Sequence, residues 1–426
     1  MTVRDPAAAT ADASQVRADR RTRSRRLTPA QLLLAAVLGL AGLSLVRVVT
    51  HAQDITSAGT IGATINLAMP IALCGLGGLW SERSGVVNIG LEGMMILGTW
   101  FGADFALITH SAWMGMVGGL VGGLIGGAVH AIATVTFGVD QIVSGVAINI
   151  LALGIGRYLS GVFFSDRPGG GPTQSPQVDR FGSLKLPGAD TFFGKIERHH
   201  WFFLSDVAGL LRGLATSLSA FTIIAILLIP LTWFVLWRTA FGLRLRSCGE
   251  NPAAAESLGV KVYTMKYVAV LVSGMLAGLA GAFLVNFTAI YREGQTGGRG
   301  YIGLAAMIFG NWRPGGMVAG SALFGYTDAA QSRQGSASIH ALLLFVALIL
   351  LAVGAWALWR RRVVPAAVGV VAAALVFAWY KATDTIPAEL VTYTPQIITL
   401  VVLAMASQRL RMPAADGIPW RRGQGT

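Results

Sequence analysis

Along this chain the polar positions gather into short punctuating stretches, and between them the apolar residues run almost unbroken. Apolar segments occupy approximately 29–50, 57–80, 85–108, 112–137, 139–164, 213–237, 267–290, 338–359, 363–380 and 388–407. Most approach about 20 residues, the length that crosses roughly 30 Å of hydrocarbon at about 1.5 Å per residue. In lipid only a helix or a closed barrel satisfies its own backbone, and runs of this length point to helices. The pattern predicts an all-α fold, a polytopic transmembrane helix bundle.

A further stretch, 301–332, is interrupted by Asn311, Trp312, Arg313, Pro314, Gly315 and Gly316. Each of its two pieces is either a short span or half of a re-entrant hairpin. Broken backbone at membrane depth requires protein or an aqueous cavity around it. With this broken segment, roughly 10–12 crossings are expected. The chain then divides into a basic tail at 1–28, a membrane domain at 29–407 and a C-terminal tail at 408–426. The domain carries an external segment at 165–212 and a loop on the opposite side at 238–266.

Composition removes the soluble alternative. Only 12% of the residues are charged and 54% are apolar, whereas soluble domains carry about 25% charged residues. The formal charge of +13 is placed as topology rather than as a nucleic-acid surface. Arg17, Arg20, Arg21, Arg23, Arg25 and Arg26 precede the first apolar run, and Arg360, Arg361 and Arg362 separate two later ones. By the positive-inside rule both termini are expected in the cytoplasm, and no nucleic acid partner is expected. Arg47 and Arg157 are left within apolar spans. Cys74 and Cys248 make no disulfide framework, and the His199–His200 pair reads as an interfacial pair rather than a metal site.

The strongest departure from a plain bundle is SERSGVVNIGLEGMMILG at 81–98. Asn88 and Glu92 stand four apart and share a helical face. A carboxylate at this depth faces protein or water. Glu92 is thus a buried acceptor tying helices together, a lining residue of a substrate route, or a proton-relay group. In the fifth segment Gln141, Ser144 and Asn149 form a polar flank that Asn66 and Asn286 are placed to approach. Neutral amides serve either interhelical hydrogen bonds or an uncharged polar solute. The glycines of the fourth and seventh segments, about four apart, are expected to pack helices closely.

On the other side lies RLRSCGENPAAAESLGV at 244–260. Asn251 is a good N-cap, Pro252 suits the first helical position and Gly259 can close the C-terminus, which predicts a helix from Pro252 to Leu258. So short a helix is marginal alone, so it serves either as a docking element or as an ordinary capped connection. The segment 165–212, with Pro168 to Pro172 and an aromatic cluster at Trp201, Phe202 and Phe203, reads as a cap, a partner contact or a plain interfacial turn.

Four passages together resemble the permease subunits of ATP-binding-cassette importers for nucleosides and simple sugars, within the ribose and branched-chain amino acid permease family. They are SERSGVVNIGLEGMMILG, DQIVSGVAINILALG at 140–154, LRSCGENPAAAESLGV at 245–260 and GGRGYIGLAAMIFGNWRPGG at 297–316. The nearest likeness is to the smaller permease that works with a basic-membrane-protein type binding lipoprotein. The family prefers asparagine where Asp140 stands, a position a carboxylate suits as a helix cap.

The resemblance implies a bacterial plasma-membrane protein, not itself an enzyme, that imports nucleosides by alternating access. It implies a core near Asn88, Glu92, Gln141 and Asn149 lining the path. It also implies an ATPase-coupling element carried by Arg244, Gly249, Glu250, Asn251, Pro252, Glu256 and Gly259. The chain has no phosphate loop of the GxxxxGK[ST] kind. No cofactor is therefore expected on it, and ATP–Mg belongs to a partner ATPase. A related, nonidentical permease subunit and an extracellular substrate-binding lipoprotein complete the expected partners. The alternatives are a simple-sugar importer, a proton-coupled secondary transporter working through Glu92, and a membrane scaffold recruiting a cytosolic protein.

Overall fold

The computed structural model describes residues 29–334, 336–387 and 410–421. The basic tail 1–28 and the tenth apolar segment, 388–407, lie outside the described residues. The helices are α1 (Pro29–Thr50), α2 (Ala58–Arg83), α3 (Leu91–Thr109), α4 (Ala112–Ala131), α5 (Gln141–Phe163), α6 (Ala189–Arg198), α7 (Leu204–Thr216) and α8 (Ala220–Arg238). They continue as α9 (Ala240–Glu250), α10 (Pro252–Ser257), α11 (Val262–Thr288), α12 (Arg299–Phe309), α13 (Pro314–Gln334), α14 (Ser336–Trp359) and α15 (Val363–Ala382). Among the described residues nine helices are long and apolar enough to cross a membrane: α1 to α5, α8, α11, α14 and α15. The interrupted stretch resolves into an 11-residue half-helix, α12, and a full-length helix, α13, which carries Asp328 and Arg333.

The core is built from α2, α3, α4 and α11, with α12 and α13 laid against α2. Seven glycines of α4, from Gly115 to Gly127, are buried. At the tightest crossing a Cβ on Gly278 would lie 2.1 Å from the carbonyl oxygen of Gly119 and 2.6 Å from the Cα of Gly123. There α4 and α11 meet backbone to backbone, the close approach that small residues permit in lipid. The large apolar side chains of α1, α14 and α15, such as Leu33, Trp359 and Val364, are exposed. This is the outward face that hydrocarbon would cover.

The 165–212 segment is tied down by specific contacts. Its helices α6 and α7 are joined to the bundle by a two-residue antiparallel ladder between β1 (Ser183–Leu184) and β2 (Leu218–Ser219). Asp206 of α7 forms an ion pair with Arg47 at 2.9 Å, both side chains almost fully buried, and accepts a hydrogen bond from Thr56. This pairing accounts for an arginine at the end of an apolar span, because a buried charge needs a partner. Glu197 accepts the backbone N–H of Ala58 at the positive end of α2.

Candidate functional site

Two breaks in the helical backbone meet inside the bundle. The first runs from Ser84 to Gly90, between α2 and α3, and its polar groups are met from neighbouring helices. Ser81 donates to the Val86 carbonyl at 2.6 Å, and the Lys266 ammonium lies 3.4 Å from the Gly85 carbonyl. Gln141 accepts the Val87 N–H at 2.6 Å. His130 sits between Ser144, at 2.9 Å from Nδ1, and the Val87 carbonyl, at 3.0 Å from Nε2. A single neutral tautomer fits both, with Nε2–H donating to the carbonyl and Nδ1 accepting from the hydroxyl. Irregular backbone at this depth persists because such partners surround it.

Asn149 of α5 closes the far end of this break. Its Oδ1 accepts the Gly93 N–H at 2.7 Å, and its Nδ2 donates to the Ile89 carbonyl at 3.0 Å and to the Tyr301 hydroxyl at 2.9 Å. Asn88 is fully buried and donates to Ser273 at 2.9 Å. On 1.5 Å of rise per residue, Asn149 lies roughly 12 Å into α5, well inside the span.

The second break is 289–298, which descends from the end of α11 to the start of α12. Here Glu92 has its partners: its two oxygens accept the N–H groups of Gly298, at 3.0 Å, and Gly300, at 2.7 Å. An anion at a helix N-terminus meets free donors and the positive end of the dipole. A Cβ on Gly300 would stand 2.6 Å from the Cα of Glu92, so a glycine is required for the approach. The carboxylate therefore joins α3 to α12. Among the described residues no second acid joins it in a hydrogen-bonded relay.

A recess of about 330 Å³ opens beside this junction. One side is Glu92, Asn149, Thr296, Gly297, Gly298 and Tyr301, and the other is Ile96, Val146, Ile150 and Leu153. A depression of about 510 Å³ adjoins it at Gly294, lined by Thr288, Ile290 and the run from Arg292 to Gln295. No cluster of metal-ligating side chains occurs among the described residues.

The structure thus gathers Asn88, Glu92, Gln141, Ser144 and Asn149 around the two breaks. It places the other two amides elsewhere. Asn66 donates to the Gly62 carbonyl of its own helix and accepts from Thr222 of α8. Asn286 accepts the Phe181 N–H of the 165–212 segment at 2.8 Å. Sequence reasoning missed His130, Tyr301, Gly298 and Gly300. A local signal for the last three was the glycine run Gly297, Gly298 and Gly300 beside Tyr301.

The 238–266 loop presents a second surface. The Asn251 side chain accepts the Ala254 N–H at 3.0 Å, Pro252 opens α10, and Gly259 takes φ +82° just beyond it. The helix ends one residue earlier than expected, at Ser257. Ala255 is buried while Leu258 is 85% exposed. Arg244, Glu250, Asn251 and Gly259 are exposed, Pro252 and Glu256 are half-buried, and Gly249 is buried against the Arg83 carbonyl and Gly85. The tail at 410–421 folds against this loop: Ala415 N–H donates to the Gly249 carbonyl at 2.8 Å, and Trp420 packs against Tyr263. Arg83 connects the loop to the bundle, donating to the Trp312 carbonyl at 2.6 Å and lying 3.9 Å from Glu250.

This chain is similar to a guanosine ABC transporter permease protein, NupQ, of Bacillus subtilis, at 37% identity over 63% of the chain and 80% of the relative. It is 32% identical to a nucleoside ABC transporter permease protein, NupC, of Lactococcus lactis, over 82% of the chain and 92% of the relative. A putative glucose ABC transporter permease protein, TsgC13, of Haloferax volcanii is 35% identical over 66% of the chain and 80% of the relative. No solved structure matches the chain. The profile of the family described as branched-chain amino acid transport system / permease component matches residues 60–353. That range holds both breaks, the recess and the capped loop helix, and on it the chain belongs to this family of permease components.

Proposed function

We propose that this chain is one permease subunit of an ATP-driven nucleoside importer, with the recess between α3, α5 and α12 forming its share of the substrate route. The observation that carries the proposal is the recess at the meeting of two broken segments, walled by neutral amide and hydroxyl groups and by aliphatic side chains. Its one carboxylate is committed to backbone N–H groups, which suits an uncharged polar solute. Two relatives with nucleoside or guanosine in their names support the substrate class.

In this proposal α10 and Leu258 lie in the cytoplasm and receive the stroke of a separate ATPase. A sister permease closes the open side of the recess, and an extracellular lipoprotein delivers the nucleoside. A simple sugar is the second reading, favoured by the relative named for glucose and by amides that serve sugar hydroxyls equally well. The test is uptake into proteoliposomes holding the assembled importer, with radiolabelled nucleoside and ribose offered separately. Nucleoside accumulation that requires ATP is expected. Accumulation independent of ATP and of the ATPase, or of ribose alone, would overturn the proposal.

A further inference from the structure

Tyr301 stands in the first turn of α12 with its side chain in the recess, and it is 46% exposed although its neighbour Gly300 is buried. The hydrogen bonds around it fix what it offers. Asn149 has its amide oriented from two sides: the Gly93 N–H demands the oxygen, and the Ile89 carbonyl demands the nitrogen. The Asn149 NH2 group therefore donates to the phenolic oxygen of Tyr301. The phenolic proton is left over, and a hydroxyl already accepting one bond donates its own proton most readily to an acceptor on the open side.

The recess is asymmetric. Tyr301 and the polar backbone of 296–298 form one side, while Ile96, Val146, Ile150 and Leu153 form an aliphatic wall with no hydrogen-bonding group in its side chains. A sugar placed there would turn hydroxyls toward that wall and lose their hydration without replacement. A flat heteroaromatic ring has two apolar faces and polar edges. It can lie against aliphatic carbon on one side and the phenol on the other, leaving the phenolic proton for a hydroxyl of the attached ribose, which stands out of the ring's plane. The recess of about 330 Å³ falls at the lower end of the roughly 300–1,000 Å³ range of small-molecule sites.

We infer that Tyr301 is the residue that recognises a nucleoside in transit, by stacking on its base and donating its phenolic proton to the attached ribose, with Asn149 as the positioning residue that aims it. The inference rests on the nucleoside reading above. Glu92 contributes no direct contact: it holds the first turn of α12, and so the Tyr301 backbone, in place.

The experiment uses the assembled importer in proteoliposomes and the photoactivatable nucleoside 8-azidoadenosine. In the unsubstituted protein, the label should enter the peptide carrying Tyr301 or the facing α5 peptide, with adenosine suppressing it and ribose leaving it unchanged. Tyr301→Leu should cut the labelling and the uptake rate roughly ten-fold or more, the worth of one stacking contact. Tyr301→Phe keeps the ring and should lose only roughly two- to ten-fold, the worth of one hydrogen bond. Tyr301→Phe also shows that the fold survives, through an unchanged melting midpoint. Undiminished labelling and uptake in Tyr301→Leu, with adenosine still transported, would overturn the role of Tyr301 and leave the nucleoside reading standing. If the unsubstituted importer accumulates ribose and no nucleoside, that reading falls and this inference with it.

Discussion

Replacing Glu92 by glutamine separates a helix tie from a proton relay. Each carboxylate oxygen of Glu92 accepts one backbone N–H, from Gly298 and Gly300, and the side chain is 6% exposed. Glutamine offers one oxygen and one NH2 group, so one of the two N–H groups faces another donor. Losing a hydrogen bond to a charged group costs about 1.5–3 kcal/mol. Removing the negative charge from the helix N-terminus costs about 0.3–1 kcal/mol more, and up to about 2 where partly buried. A buried carboxylate is also costly to keep, which offsets part of this. The expected net loss is about 2–4 kcal/mol, a fall in melting midpoint of roughly 4–8 °C at about 2 °C per kcal/mol.

The chain carries its own reporter for that measurement. Cys74 and Cys248 are free and both fully buried, and burial pushes the Cys248 thiol up to about 11. A thiol-reactive dye therefore signals unfolding. Glu92→Gln should melt early and, while folded, retain ATP-driven transport. An unchanged midpoint together with abolished transport would refute the tie and favour the proton relay.

Asn149→Leu should cost about 2–5 kcal/mol, because the Gly93 N–H and the Ile89 carbonyl each lose a buried partner worth about 1–3 kcal/mol; a melting midpoint equal to that of the unsubstituted chain would contradict this. Gly278→Ala should force α4 away from α11 at a cost of roughly 3 kcal/mol or more, read as a loss of monodisperse protein on size exclusion. The docked tail should respond to pH. Burial pushes the Asp416 carboxyl up to about 7 where it meets Glu82, Lys266 and Arg83, against about 4 in a free chain. Between those values the docked tail holds a proton that a released tail has given up, so docking is strongest at acid pH and weakens as pH rises toward 7. Hydrogen exchange over 410–421, corrected for intrinsic rates, should show this loss, and Asp416→Asn should flatten it.

The membrane bundle was legible because hydrocarbon imposes one rule along the whole chain, apolar runs of spanning length. The capped helix at Pro252 was equally legible, since Asn251, Pro252 and Gly259 act through bonds only a few residues away. The glycine spacing of α4 announced close packing, which the Gly278 crossing displays. The Asn88–Glu92 passage stood out for its chemistry, but its partners did not: Glu92 bonds a residue more than two hundred positions away. Nothing local distinguishes Asn149, which spans a break, from Asn286, which pins the 165–212 segment through Phe181. An amide declares that it needs partners and does not say which. Arg47 was visible as an exception to its apolar span, and only the folded 165–212 segment supplied Asp206.

A solute passing through the recess at the α3, α5 and α12 junction would meet position 150, where cysteine chemistry can detect it. Ile150 lines the recess and is 66% exposed in the isolated chain. In an importer whose permease carries Cys74→Ala, Cys248→Ala and Ile150→Cys, a small polar thiol reagent should stop ATP-driven nucleoside uptake, and saturating nucleoside should slow the labelling. Complete labelling at position 150 with uptake unchanged and no protection by nucleoside would contradict the account.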